Sequence, residues 1–236
     1  MIEIRVRPQV AYLFLTTVLF LTLAHCLILF FFLNFDQPEL VNVMRWFDLD
    51  MERNLPSFYS SGAILACSFL FSTVAFLERK STSQSRLYWL GLALVFLFLS
   101  LDEYFELHEG LGDLTENYIN ARGLLYFPWV IPYGALTLGF GLVYAKFILG
   151  LPKKTARLFI LSGVIYLSGA IFLDMLGGRE AELHGFFSIT YCILYTLEEF
   201  FEMIAIVLLI YALLAYIEQH FGYLCINLQI RERTAP

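Results

Sequence analysis

The stretch FFSITYCILYTLEEFFEMIAIVLLIYALLAYI, residues 186–217, decides the fold. An apolar helix of ~20 residues crosses a bilayer, and closed helical hydrogen bonding is required inside one. Here about 11 apolar or small residues stand before Glu198, and the 15 residues after Glu202, Met203 to Ile217, are all apolar. The carboxylates of Glu198, Glu199 and Glu202 therefore cannot mark the end of a helix. They are carried into the membrane, where each charge costs at least ~2.5–3.5 kcal/mol near the centre. Three on one helix require neutralisation by protons, a metal or basic partners.

The rest of the chain agrees with a membrane setting. Of 236 residues, 59% are hydrophobic and only 15% charged, with a mean hydropathy of +0.71. Soluble domains carry roughly 25% charged residues. Apolar segments long enough to span lie at 10–33, 57–77, 87–108, 127–149, 157–176 and 188–217. No internal repeat, low-complexity tract or second domain is visible, so the expectation is an all-α, six-helix transmembrane bundle forming a single domain over 1–236. The basic start MIEIRVRPQV resembles a signal sequence. The run after it spans about 25 residues and has no small-residue cleavage site, and His25 stands where a lipoprotein box needs a small residue before Cys26. An uncleaved first helix is expected. Cys26, Cys67, Cys192 and Cys225 share no short spacing, so they read as small hydrophobes rather than a zinc or disulfide framework.

Loop charges orient the bundle. One side holds Arg5, Arg7, Arg79, Lys80, Arg86, Lys146, Lys153, Lys154, Arg157, Arg231 and Arg233; the other holds only Arg45, Arg53, Arg122 and Arg179. The positive-inside rule places both termini in the cytoplasm of a bacterial-type inner (plasma) membrane. Acidic residues split the other way: only Glu3, Glu78, Glu218 and Glu232 fall on the cytoplasmic side. Carboxylates contribute little to topology, so their asymmetry needs another cause.

Depth supplies one. Asp102 lies 15 residues from Leu87, Asp174 lies 16 from Leu158, Glu202 lies 15 from Ile217 and His25 lies 16 from Gln9. At 1.5 Å per residue all four reach ~22–24 Å into a core ~30 Å thick. Helical phase agrees as well: Glu198, Glu202 and Glu199 fall at about 0°, 40° and 100°, a single wedge. Asp102, Glu106 and Glu109 fall at about 0°, 40° and −20°, with Glu103 at the edge of the same face. His108 would point about 120° away unless the helix unwinds before GLGDL.

Two facing carboxylate wedges at one depth are what a helical bundle uses to hold a metal pair. The expected divalent ion is iron, manganese or zinc, with calcium an alternative, because the donors are oxygen and imidazole. Candidate ligands are Asp102, Glu103, Glu106, His108, Glu109, His184, Glu198, Glu199 and Glu202. Among them Glu103, Glu109, Glu199 and Glu202 lead, with His108 or His184 completing the set. Two other readings stand beside this one. The first is a proton or cation pathway of coupled carboxylates. The second is structural: pairing with Arg122, Arg179 or Arg53, or contacts to partner subunits of a larger membrane complex.

Neither EYFE nor EFFE ends in histidine, so the Glu-x-x-His di-iron signature is missing, and HE at 108–109 is not H-E-x-x-H. The segment FDLDMERNLPSFYSSG, 47–62, reads as a lid over the bundle mouth, with Pro56 opening the second span. Its Asp48, Asp50 and Glu52 lack the glycine and terminal Glu of an EF-hand loop. Tyr126, Phe127, Trp129 and Tyr133 form an interfacial aromatic belt. No P-loop, GxGxxG fingerprint or nucleophile elbow is present, so the expected partner is the lipid bilayer, with neither nucleic acid nor nucleotide.

NLPSFYSS, LSLDEYFELHE and LEEFFEM, in that order and spacing, resemble the motifs of a family of uncharacterised bacterial multi-pass membrane proteins. The resemblance runs along most of the chain and implies Asp102, Glu103, His108, Glu109, Glu198, Glu199 and Glu202 as the matching positions. It implies no reaction. If the site is catalytic, the expected chemistry is metal-dependent redox or hydrolysis on a lipophilic substrate. The alternative is a non-catalytic subunit or a proton- or cation-conducting element.

Overall fold

A computed structural model of the chain describes residues 6–35, 38–78 and 83–222. The basic residues Arg5, Arg79, Lys80, Arg231 and Arg233 and the acidic Glu3 and Glu232 used for orientation, with Cys225, lie outside them. The structure is helical, and the described residues contain no strand. In chain order the helices are α1 (Val6–Asn34), α2 (Pro38–Phe47), α3 (Leu55–Leu77), α4 (Ser83–Phe105), α5 (Leu107–Glu116), α6 (Val130–Leu149), α7 (Lys153–Leu167), α8 (Asp174–His184) and α9 (Ile189–Phe221). A π-helical segment, Ser168–Leu173, joins α7 to α8 without a break. Six stretches are long and apolar enough to cross a membrane: Pro8–Asn34, Leu55–Leu77, Ser85–Phe105, Val130–Leu149, Lys153–His184 and Ile189–Phe221.

The expected spans hold in number and order, with three differences of physical interest. The third ends at Phe105 because Glu106 takes a left-handed backbone (φ 56°), and α5 starts from the break. The fifth runs on to His184 because the π segment bends the helix without ending it. The loop expected at 34–56 contains α2, whose Val41, Val43 and Trp46 are exposed, as suits a short helix lying at an interface.

The long α9 is the central post, packed by α1, α3, α7, the π segment and α8, while α3 and α4 form the tightest helical hairpin. Serines let that hairpin close: Ser61 Oγ donates to the Ser100 carbonyl (2.7 Å), Ser100 Oγ to that of Ser61 (2.8 Å), and Ser68 Oγ to that of Ala93 (2.7 Å). Small hydroxyl side chains are favoured between membrane helices because they allow close approach and satisfy their own polarity. The apolar core lies toward the termini, around Phe71, Trp89, Ile210 and Leu213, all almost fully buried. Helix α6 is peripheral, its Leu138 and Leu142 turned outward as lipid-facing residues are. The other end of the bundle, where α5 and the 48–54 segment lie, is its loop side.

Candidate functional site

Three departures from regular helix build a polar layer at the loop-side end of the bundle. The first is the break at Glu106. Asp102, the last buried acid of α4, accepts the backbone N–H of His108 through Oδ1 at 2.7 Å, and so caps the first turn of α5 from one turn back. The same oxygen lies 3.4 Å from His108 Nδ1. Unwinding therefore swings His108 inward, the case in which its helical phase no longer applies. Its ring packs edge-on against Trp129, centroids 5.1 Å apart. Burial opposes charge on His108, but Asp102 beside it, then Glu52 and Glu103, outweigh that and push it up to about 9. The imidazole is thus positively charged at neutral pH.

The second departure is the π segment, a wide turn found frequently at functional sites. Gly169 inside it lies against α9 so closely that an added Cβ would stand 2.7 Å from the Glu198 carbonyl oxygen. Ser162 Oγ, donating to the Ala205 carbonyl at 2.7 Å, fixes α7 to α9 one stage below. The segment returns the chain inward at Asp174, which is 7% exposed and whose Oδ2 is buried without a hydrogen-bond partner. Asp174 sits close enough to His108 and Glu198 for their charges to interact.

The third is the strap, residues 48–54, between α2 and α3. Asn54 caps α3, accepting the Ser57 N–H at 3.1 Å while Ser57 Oγ accepts the Asn54 N–H at 3.0 Å. Asn54 Nδ2 also donates to the Asp48 carbonyl at 2.6 Å, closing the strap on itself. Tyr191 of α9 donates to Asp50 at 2.7 Å. The Leu49 N–H donates to His25 Nδ1 at 3.2 Å, so the remaining ring proton sits on Nε2 and is given to Thr196 Oγ1 at 3.1 Å. His25, 1% exposed, is thereby a structural pin rather than a free ligand. The segment expected to form a lid thus lies between α2 and α3, tied to α1 through His25 and to α9 through Tyr191.

From the strap Glu52 reaches inward, its Oε2 buried with no partner. Burial, then repulsion from Glu103, push its carboxyl up to about 8 against the attraction of His108. Asp50 is exposed and held by its bond from Tyr191.

On α9, Glu198, Glu199 and Glu202 are partly buried and share one face as expected; Glu103 of α4 lies opposite, within direct electrostatic reach of Glu199 and Glu202. The Tyr166 hydroxyl lies near Glu202, and Ser60 Oγ is buried near Glu103 without a hydrogen-bond partner. The structure thus brings Asp102, Glu103, His108, Glu198, Glu199 and Glu202 together. Glu106 turns away, pairing with Arg53 Nε at 3.1 Å. Glu109 is exposed on α5. His184, its side chain 61% exposed, pairs with Glu180 at 3.0 Å on the same helix. Glu52, Asp174 and Tyr166 join the layer without having been selected from sequence. Matched depth had flagged Asp174, but nothing periodic marks Glu52.

Among the described residues no group of three or more His, Cys, Asp or Glu side chains is arranged to hold a metal ion. Of the three arginines weighed as partners, Arg53 alone forms an ion pair among these residues, at the rim of the layer.

The family described as "Domain of unknown function (DUF8692)" matches residues 12–217, and the chain belongs to it. The chain matches no curated protein and no solved structure.

Proposed function

We propose that this multi-pass member of the DUF8692 family takes up positive charge in its polar layer, and that the charge is the proton. The observation behind the reading is a charge imbalance. Glu52, Asp102, Glu103, Asp174, Glu198, Glu199 and Glu202 form one layer of mutually interacting carboxylates with the single imidazole of His108 among them, and the one arginine pair found among the described residues stands at the rim, on Glu106. Two like charges ~4 Å apart repel by about 4 kcal/mol at an effective dielectric of ~20, before any cost of leaving water. Such a set exists only with its charge neutralised, and shared protons neutralise it without the converging geometry a metal needs. Coupled carboxylates and a histidine inside a membrane bundle are the usual parts of a proton relay. The loop charges put both termini in the cytoplasm, which makes the loop side extracytoplasmic.

A divalent metal is the second reading. It draws on the oxygen and imidazole donors and on the orphaned Asp174 Oδ2, a buried acceptor with no donor of its own.

Infrared difference spectroscopy on the purified protein, with elemental analysis of the same sample, tests the two. The proton reading expects protonated-carboxyl carbonyl bands at neutral pH that shift in heavy water and diminish in Glu199→Gln/Glu202→Gln. Missing carboxyl bands, with a stoichiometric metal that the same double variant loses, would replace the proton with the metal.

A further inference from the structure

We infer that the strap is a hinged cover over the polar layer and that Glu52 is the gateway carboxylate through which a cation passes between the loop side and the layer. The inference rests on the reading just given that the layer takes up positive charge.

Glu52 is carried on a segment between spans and, unlike Asp50 on the same strap, which Tyr191 ties to α9, it has an oxygen without a hydrogen-bond partner. It therefore belongs both to the interior and to a piece of chain that can leave it. Its Oε2 is buried and unpartnered, facing Glu103 and His108. Asp174, more than nine-tenths buried and within electrostatic reach of His108, carries a second unpartnered oxygen. Two orphaned carboxylate oxygens, both within electrostatic reach of His108, mark successive resting places for a cation.

The fastening of the strap is uneven. At its start Leu49 is held by His25, at its end Asn54 is locked into the cap of α3, and Asp50 is tied to Tyr191. Between Asp50 and Asn54, among the described residues, the strap is tied across to another element by the Arg53–Glu106 ion pair, with the Arg53 side chain 62% exposed. Exposed ion pairs hold weakly because water and salt screen them. Arg53 (φ 58°) and Glu106 (φ 56°) are also the two non-glycine residues with left-handed backbones among the described residues, a conformation unfavourable for an L side chain. The pair thus joins two strained points through a weak bond. Releasing it relaxes both, frees residues 51–53 to swing about their anchored ends, and draws Glu52 out of the layer.

A permanently charged, membrane-impermeant carbodiimide, applied with an amine to sealed vesicles of either orientation and read by peptide mass spectrometry, tests the cover in the native chain. Labelling is expected at Glu52 and then Glu103, from the loop side alone. Both Arg53→Gln and Glu106→Gln should accelerate labelling of Glu103 about tenfold. Equal labelling from both sides, or no acceleration in either variant, would overturn the cover. Glu52→Gln should slow deuterium exchange of the interior carboxyl bands about tenfold, and an unchanged rate would remove Glu52 as gateway. These failures would leave the infrared carboxyl bands in place. Failure of the proton reading would abolish those bands and leave the sidedness of labelling intact.

Discussion

Gly169→Ala offers the sharpest test of how the layer is assembled. The new methyl would stand 2.7 Å from the Glu198 carbonyl oxygen, 3.1 Å from Glu202 Cγ and 3.3 Å from Phe201 Cβ. Only Glu202 Cγ can swing aside; the carbonyl oxygen and Phe201 Cβ are fixed to the backbone of α9. The π segment and α9 must therefore separate by several tenths of an ångström along the face that carries the carboxylates. Overpacking of this kind costs ~1–3 kcal/mol, from which the better helix propensity of alanine returns up to ~1 kcal/mol. A net loss of about 1–2 kcal/mol corresponds to a fall in melting temperature of about 2–8 °C for a chain of this size. Thermal unfolding in detergent, followed by tryptophan fluorescence, reads it. Gly134→Ala on peripheral α6 is the control, because nothing lies within 4 Å of its added Cβ. If both variants melt together, the close approach of the π segment to α9 is wrong, and with it the placement of Asp174.

Two further outcomes follow from the strap. Asn54→Ala removes the α3 cap and the bond to the Asp48 carbonyl together, so a loss of about 2 kcal/mol is expected; an unfolding midpoint within a degree or so of the parent would contradict the capping geometry. The carboxyl of Glu52, raised to about 8 by burial and then by Glu103, makes stability depend on pH. Between its unfolded value of 4.5 and about 8 the folded protein holds the proton more tightly than the unfolded chain. This contribution is complete below 4.5 and lost as pH rises through about 8. Glu52→Gln should therefore unfold near the parent temperature at pH ~5 and become progressively more stable than the parent toward pH ~9, and a gap of constant size would refute the burial of Glu52.

What the sequence made legible follows from what is periodic. The apolar runs gave six spans because a bilayer imposes length and composition on any helix crossing it, and the structure has six. The α9 wedge was equally legible, since Glu198, Glu199 and Glu202 lie on uninterrupted helix where phase translates directly into direction. Phase failed at Glu106. A regular helix put Glu106 inside and His108 outside, and the left-handed residue reverses both. The local sequence ELHEG carries no proline, and its glycine comes four residues after the break. The break depends instead on Asp102 capping across it and on Arg53 from a different part of the chain. Such a dependence on tertiary partners leaves no mark in a window of neighbouring residues.

The three irregular points share more than their irregularity. The break at Glu106 delivers His108, the π segment delivers Asp174 and the strap delivers Glu52, and each group faces at least one of the others. Had these been independent accidents of packing, they would have scattered along the bundle, and each orphaned acid would have cost stability without return. Irregular backbone at membrane depth is tolerated only where protein covers it or where it lines a polar interior. Its concentration at one end, against an apolar core around Trp89, Phe71 and Ile210 toward the other, sets the layer apart from the rest of the bundle. The carboxylates that sequence could read form its two walls. The groups that would bring charge to those walls came from the three places where the helix pattern fails.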